Sequence, residues 1–124
     1  TSNPTSISQH AAVEAINGDQ SCIDTMLVEF KKRHDAVVAE LNTIDGVECI
    51  TSDGTFYVFP NVEKLITQLD GIDNDLDFAE YLIEKAGVAI VPGSAFGCPG
   101  HIRISIATSM ANLETALDRI KKAI

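Results

Sequence analysis

Residues 102–106 read I-R-I-S-I, and this short alternation constrains the fold more than any other feature of the chain. A β-strand turns successive side chains to opposite faces, so the three isoleucines share one face and Arg103 shares the other with Ser105. The preceding loop, 91–100, contains three glycines and two prolines, which suits tight turns and close backbone approach. We therefore expect a sheet with one apolar face and one face that carries a cation.

Helical periodicity predicts much of the remaining structure. The apolar stripe from Ile23 to Leu41 predicts a long amphipathic helix from the low twenties to the low forties. A first helix is expected to begin at an Asn3 N-cap with Pro4 at its first position, and the last helix to follow a Ser109 N-cap. Two more are expected between them: a short helix within 61–69, and one over 76–86 that ends at Gly87 as a left-handed cap. These helices supply the layer against which the sheet can bury its apolar face.

Strands are expected at 47–50, 55–59, 88–91 and 102–106. The order of elements predicts an α+β fold with two layers: a small mixed sheet with helices on one face. The 55–59 strand, T-F-Y-V-F, is apolar on both faces, so we expect its second face to be covered by something outside this chain. No linker or repeat divides the sequence, and residues 1–124 are expected to form one domain.

Composition excludes several classes of function. A net charge of −9 argues against a nucleic-acid partner, since phosphate binding needs clustered Lys and Arg. No apolar run is long enough to span a membrane and no leader pattern is present, so a cytoplasmic protein without a membrane partner is expected. The three cysteines are predicted to be free thiols, and no metal site is predicted from the histidine spacing. The acidic stretch 70–75 is interpreted as a solvated loop.

Arg103 is the most informative single residue, and its pattern admits two readings. Its planar guanidinium can grip a carboxylate through two parallel hydrogen bonds. Alternatively it forms a structural ion pair with one of the 18 acidic residues, which the spacing alone favours. His34, on the apolar stripe of the long helix, is interpreted as a packed histidine. The glycines of the 93–100 loop lack the spacing of a phosphate-binding motif.

Four motifs follow one another along the chain: T-S-N-P-T-S-I-S-Q at 1–9, D-G-T-F-Y-V-F-P at 53–60, D-F-A-E-Y-L-I-E-K-A-G-V-A-I-V-P-G-S-A-F-G at 77–97 and H-I-R-I-S-I-A-T-S-M-A-N-L-E-T-A-L-D-R-I at 101–120. In this order they resemble the C-terminal part of class I, fold-type I pyridoxal-phosphate (PLP) aminotransferases, closest to the bacterial aspartate aminotransferase subgroup. The resemblance covers nearly the whole chain. It implies the fold of that family's small domain.

The resemblance also implies roles for particular residues. Arg103 corresponds to the arginine that binds the substrate α-carboxylate, and Phe56 to an aromatic residue near the substrate pocket. The T-S-N-P segment resembles one close to the partner subunit's active site in the family dimer. The cofactor lysine and phosphate-binding residues belong to the large domain, which is absent here, so we expect no catalytic, cofactor-binding or metal-binding residue and no PLP bound to this chain.

The function implied is therefore that of a fragment of an aminotransferase. The full protein would move an amino group between an amino acid, aspartate in the first instance, and a 2-oxo acid such as 2-oxoglutarate. Its partners would be these substrates, its own large domain and a second copy of itself, while the 124-residue chain alone is expected to be inactive. Two alternatives stay open: an aminotransferase with aromatic, alanine or prephenate preference, and a non-catalytic module that retains only carboxylate binding.

Overall fold

The computed structural model describes residues 3–124, and the chain folds into helices around a small sheet. In chain order the elements are α1 (Ser6–Asn17), α2 (Ser21–Leu41), β1 (Tyr57–Val58), α3 (Glu63–Ile66), α4 (Asp75–Ala86), β2 (Val91–Pro92), a 3₁₀ turn (Gly93–Phe96), β3 (Ile102–Ser105) and α5 (Met110–Ala123). The predicted α+β class is confirmed.

The strand that carries Arg103 is the centre of the sheet. The order of strands is β1-β3-β2, and both pairs are antiparallel. The expectation of a mixed sheet is therefore wrong. The isoleucines of β3 and Ile106 beyond it are buried against α2, α4 and α5, as the alternation predicts. The helices thus cover one face, and Arg103 and Ser105 occupy the other.

Two predicted strands are shorter than their apolar runs. In the run 55–59 only Tyr57 and Val58 join the ladder, because Thr55 adopts a left-handed φ of 76°. The Thr55 hydroxyl also accepts a hydrogen bond from the Tyr57 N–H at 3.1 Å, which closes a local turn. In the run 88–91 only Val91 pairs, and the strand extends instead to Pro92.

The predicted strand at 47–50 is wrong. Glu48 makes a single bridge to Asn61, and the next residue is held by a side chain instead of a strand. The Asn42 amide donates to the Cys49 carbonyl and accepts from the Cys49 N–H, each at 2.8 Å. One amide side chain thereby does for Cys49 what a neighbouring strand would do, and no ladder is needed there.

The helix ends follow local chemistry. Gly87 adopts the expected left-handed conformation (φ 63°), and the Ser109 hydroxyl accepts from the Asn112 N–H at 3.2 Å, so both predicted caps are confirmed. The expectation for the first helix is wrong. Thr5, and not Asn3, is its N-cap, because the Thr5 hydroxyl accepts from the Ser8 N–H. Thr1 and Ser2 lie outside the described residues.

The N-terminal part of the structure contributes little to the core. Helix α1 buries none of its side chains, and the buried residues of α2 begin at His34. Large apolar side chains along this part are exposed: Ile7, Val13, Ile16, Ile23, Met26, Leu27 and Val28. The core lies instead between the sheet, the second half of α2, α4 and α5.

Candidate functional site

Arg103 lies in the middle of β3, on the face of the sheet that the helices leave open. Two aromatic rings frame its guanidinium: the carbon Cζ is 4.5 Å from the Phe96 ring centroid and 5.4 Å from that of Tyr57. Tyr57 lies in β1, where it is paired with Ser105 of β3. Phe96 lies in the 3₁₀ turn. The rings hold the cation by cation–π attraction, which satisfies its charge without using its N–H donors.

Among residues 3–124, Arg103 forms no ion pair and its side chain donates no hydrogen bond within the protein. Five ion pairs are present in this part of the chain, and each uses a lysine as its cation. The structural ion pair that spacing alone favoured is therefore wrong. A half-buried guanidinium with its planar fork unused is suited to an external carboxylate.

The loop before β3 is folded tightly on itself and presents Phe96 to Arg103. A Cβ atom at Gly93 would lie 2.3 Å from the Cys98 carbonyl oxygen, so only glycine fits there. The Gly93 N–H donates to the His101 carbonyl at 2.7 Å, and Gly97 ends the turn with a φ of 73°. Backbone bonds within the loop use these N–H groups, which agrees with the sequence argument against a phosphate cradle.

The acidic stretch before α4 is not solvated throughout, and here the expectation from sequence is wrong. Asp75 is only 2% exposed, and its Oδ2 accepts a hydrogen bond from the Ser94 N–H at 2.7 Å. Burial alone would raise the pKa of the Asp75 carboxyl, but hydrogen bonds from Ser94 and from the Gly100 backbone outweigh it and lower the pKa below its ordinary value. Asp75 is therefore a buried carboxylate that joins α4 to the loop.

A row of aromatic side chains continues from Phe96 across the loop. The Phe59 ring meets the Phe96 ring edge to face at 6.2 Å and stacks on His101 at 5.3 Å. Cys98 Sγ lies 3.3 Å from His101 Nδ1. Phe56, the other predicted site residue, is half exposed and joins the group through the Tyr57 ring at 5.4 Å. The aromatic rings that contact the Arg103 guanidinium are therefore those of Tyr57 and Phe96.

Sequence reasoning did not single out Tyr57 or Phe96. Tyr57 reaches Arg103 diagonally across the β1–β3 pair, and this register is a tertiary property. Phe96 depends on how the loop closes. An available signal was the position of each residue: Tyr57 follows Phe56 in the apolar strand, and Phe96 stands between glycines that force a turn.

A cavity lies elsewhere, between α2 and the 52–56 loop. It has a volume of about 550 Å³ and includes Phe30, His34 and Phe56 in its wall. His34 is buried, as predicted: its Nε2 accepts from the Ser52 N–H at 3.2 Å, so Nδ1 carries the proton and donates to Asp35 at 3.1 Å. His34 therefore fastens the loop to the helix.

No group of three or more His, Cys, Asp or Glu side chains in residues 3–124 could hold a metal ion. In the same part of the chain, no helix is long and apolar enough to cross a membrane.

The fold and the arginine site define a class of protein. The family "Aminotransferase class I and II" matches residues 1–120. The chain belongs to this aminotransferase family.

Individual relatives agree with this membership. The chain is 48% identical to the aspartate/prephenate aminotransferase of Nitrosomonas europaea, over 97% of this chain and 32% of that protein. The solved aspartate aminotransferase of Rhizobium meliloti matches with a TM-score of 0.90 and 46% identity, covering 99% of this chain and 32% of the other. The alanine aminotransferase of Pyrococcus furiosus matches at 0.87 and 30%, covering 96% and 30%. The chain spans about a third of the length of these relatives.

The family depends in general on PLP, but the described residues do not fit that cofactor. A lysine that forms a Schiff base is desolvated in a pocket, whereas the lysines here lie at the surface. Lys31, at the rim of the large cavity, is 77% exposed in its side chain and paired with Asp35. In the glycine loop, the Ser94 N–H already faces the Asp75 carboxylate, which would repel a phosphate.

Proposed function

We propose that residues 1–124 are the small domain of a PLP-dependent aminotransferase and that Arg103 binds the α-carboxylate of its substrates. The reaction moves an amino group between aspartate and a 2-oxo acid, 2-oxoglutarate. The observation that carries the proposal is the half-buried Arg103 guanidinium, framed by Tyr57 and Phe96 and without an acidic partner among residues 3–124. All amino-acid and 2-oxo-acid substrates share the carboxylate that such a fork recognises.

Arg103 contributes binding and orientation. Its two N–H groups on one edge donate to the two carboxylate oxygens, which fixes the plane of that group relative to the sheet. The rings of Tyr57 and Phe96 limit the directions in which the fork can point. Phe56, one residue from Tyr57, borders the same substrate pocket in this proposal. Holding the substrate in one orientation lowers the entropic part of the barrier, and no bond is made by the arginine.

The cofactor and the reacting lysine belong, in this proposal, to a large domain outside the 124 residues. PLP supplies the electron sink when it is bound there. The exposed apolar residues of α1 and the first half of α2 support such a partner surface, because isolated soluble domains seldom expose so many large apolar side chains together. A second copy of the full protein completes the functional dimer, and the 124-residue chain alone has no activity.

Replacing Arg103 by lysine in the full-length protein that contains this segment tests the role. Lysine keeps the charge but loses the planar fork, so at least one charge-assisted hydrogen bond worth about 1.5–3 kcal/mol is lost. We expect kcat/KM for aspartate to fall by about ten- to a hundredfold. Arg119→Lys, on the exposed face of α5, is the matched control and should leave kcat/KM unchanged. Equal activity in the Arg103 variant would refute the proposal.

A second specificity has support from a relative. The Nitrosomonas europaea protein is named an aspartate/prephenate aminotransferase, and prephenate also carries the 2-oxo-acid carboxylate that Arg103 would bind. The full-length protein should therefore be assayed with prephenate and 2-oxoglutarate as alternative acceptors. Arg103→Lys should reduce both reactions to a similar extent, because the shared carboxylate is what it reads. A non-catalytic module would show neither reaction, and its native mass would be that of the short chain.

A further inference from the structure

We propose that Asp75 is a positioning residue for Arg103: its carboxylate holds the 93–97 loop in the conformation that places Phe96 against the guanidinium. The inference rests on the proposed role of Arg103 in carboxylate binding. It adds a residue that does not touch the substrate and lies in helix α4, whereas Arg103 lies in strand β3.

The Asp75 carboxylate is buried at the start of α4. Asp75 is the first residue of α4 and is 2% exposed, whereas its acidic neighbour Asp73 is exposed and Asp77 is partly buried. A carboxylate is costly to bury unless several donors face it. Its low pKa shows that the folded protein favours the ionised form. The N-terminus of the 12-residue helix α4 adds a favourable dipole.

A hydrogen bond joins the Asp75 carboxylate to the 93–97 loop. The Asp75 Oδ2 atom accepts from the Ser94 N–H at 2.7 Å, a short charge-assisted bond. The backbone N–H of Gly100, at the other end of the same loop, also lowers the pKa of this carboxyl. The carboxylate therefore holds the segment that precedes β3 at Ser94. An asparagine at this position would have one acceptor oxygen and would turn an N–H₂ donor toward one of these N–H groups.

The same loop carries Phe96, whose ring contacts Arg103. Ser94 and Phe96 belong to the same single 3₁₀ turn, so fixing the backbone at Ser94 limits where the Phe96 ring can lie. That ring is 4.5 Å from the Arg103 guanidinium carbon and half exposed, so few other contacts hold it. The Asp75–Ser94 bond is the polar link between the helix layer and this turn. Loosening it should broaden the orientations of Phe96 and hence of the guanidinium fork.

The test is Asp75→Asn in the full-length protein that contains this segment, with KM and kcat measured separately. We expect KM for 2-oxoglutarate to rise about tenfold while kcat changes less than threefold, because the fork is misaligned before the chemical step. Asp73→Asn makes the same change of charge two residues away at an exposed position and should leave KM unchanged. Loss of thermal stability with an unchanged KM would mean a structural role only and would overturn the proposal.

Two further variants keep the test decisive. Phe96→Leu removes the ring that the Asp75–Ser94 bond positions, and it should fold even if the Asp75 variant does not, because Phe96 is half exposed. We expect it to raise KM about fivefold, and an unchanged KM would also overturn the proposal. In an Arg103→Lys background, Asp75→Asn should no longer raise KM, because the group that it positions is gone.

A binding measurement separates failure of this inference from failure of the proposed function. A dicarboxylic acid that binds the folded protein raises its unfolding temperature, and the shift grows with the logarithm of one plus the ratio of ligand concentration to Kd. The Arg103 variant should lose this shift, and Asp75→Asn should require about ten times more ligand for the same shift. A normal shift in the Asp75 variant together with a lost shift in the Arg103 variant refutes only the positioning role. A normal shift in both refutes the carboxylate site itself.

Discussion

The Arg103 guanidinium lies 4.5 Å above the Phe96 ring, although the two residues come from different elements and Phe96 is half exposed. A contact of this kind holds a cation in place while leaving its hydrogen-bond donors for another group. In a site that binds carboxylates, the ring therefore acts on direction more than on charge. Its removal should weaken binding without abolishing it.

Replacing Phe96 by leucine tests this contact. We expect the loss of about 1 kcal/mol of cation–π attraction, which corresponds to about a fivefold rise in KM for aspartate in the full-length protein. Phe96→Tyr retains an aromatic ring and should keep KM within twofold of the parent. The contact is unimportant for binding if the leucine variant behaves like the tyrosine variant in the same steady-state assay.

The pH dependence of stability should report the buried carboxylate of Asp75. Because hydrogen bonds from Ser94 and Gly100 lower its pKa in the folded state, the ionised form stabilises the protein above the ordinary aspartate pKa of 3.8. This stabilisation is lost as the pH falls below 3.8, through the lower folded-state pKa.

Urea unfolding of the 124-residue chain across this pH range measures the effect. The free energy of unfolding of Asp75→Asn should fall less steeply below pH 3.8 than that of the parent, while the exposed Asp73→Asn control should follow the parent. An identical slope in all three proteins would mean that the Asp75 carboxylate has the same pKa folded and unfolded.

Local signals explain why the helices were predictable. The stripe from Ile23 onward, the left-handed Gly87 and the Ser109 cap all act within a few residues of themselves, and each appears in the structure as expected. The isoleucine face of β3 follows from the same kind of argument, since alternation is a property of the strand itself.

Non-local choices explain what the sequence did not predict. Whether Cys49 pairs with a strand or with the Asn42 side chain is decided by the position of α2, and no pattern around Cys49 records it. Asp75 looks like its acidic neighbours in sequence but faces the loop at Ser94. At the site, Arg103 was identified because a charge in an apolar strand stands out, whereas Tyr57 and Phe96 resemble ordinary apolar residues.

His34 should be important for stability and not for a ligand. Its Nε2 accepts from the Ser52 N–H, and a leucine there would leave that part-buried donor without its partner. We expect His34→Leu to lower the free energy of unfolding by about 1–3 kcal/mol. His10 on the exposed helix α1 is the control, and His10→Leu should change stability by less than about 0.5 kcal/mol. Equal stabilities in urea would show that the Ser52 bond contributes nothing.

The three cysteines should react with iodoacetamide in an order set by their environments. Burial raises the pKa of the Cys49 thiol to about 11, so its thiolate is scarce at neutral pH, and access to the sulfur is also blocked. Cys22 is exposed and Cys98 intermediate. Mass spectrometry of the native chain at pH 8 should find Cys22 labelled first and Cys49 last. Urea should remove the difference, and early labelling of Cys49 in the native state would contradict its burial.

The exposed apolar side chains of α1 and α2 should make the isolated chain associate with itself. Met26, Leu27 and Val28 are each more than half exposed on consecutive positions of α2, where water contact with apolar surface is unfavourable. Leu27→Ser and Met26→Ser together should lower the association measured by light scattering at a fixed concentration of the 124-residue chain. Exchanging Thr25 for serine is a matched control that leaves the apolar surface in place. A monomeric parent chain would show that these apolar side chains can remain exposed to water. The exposed side chains would then no longer support the proposal that a further domain covers them.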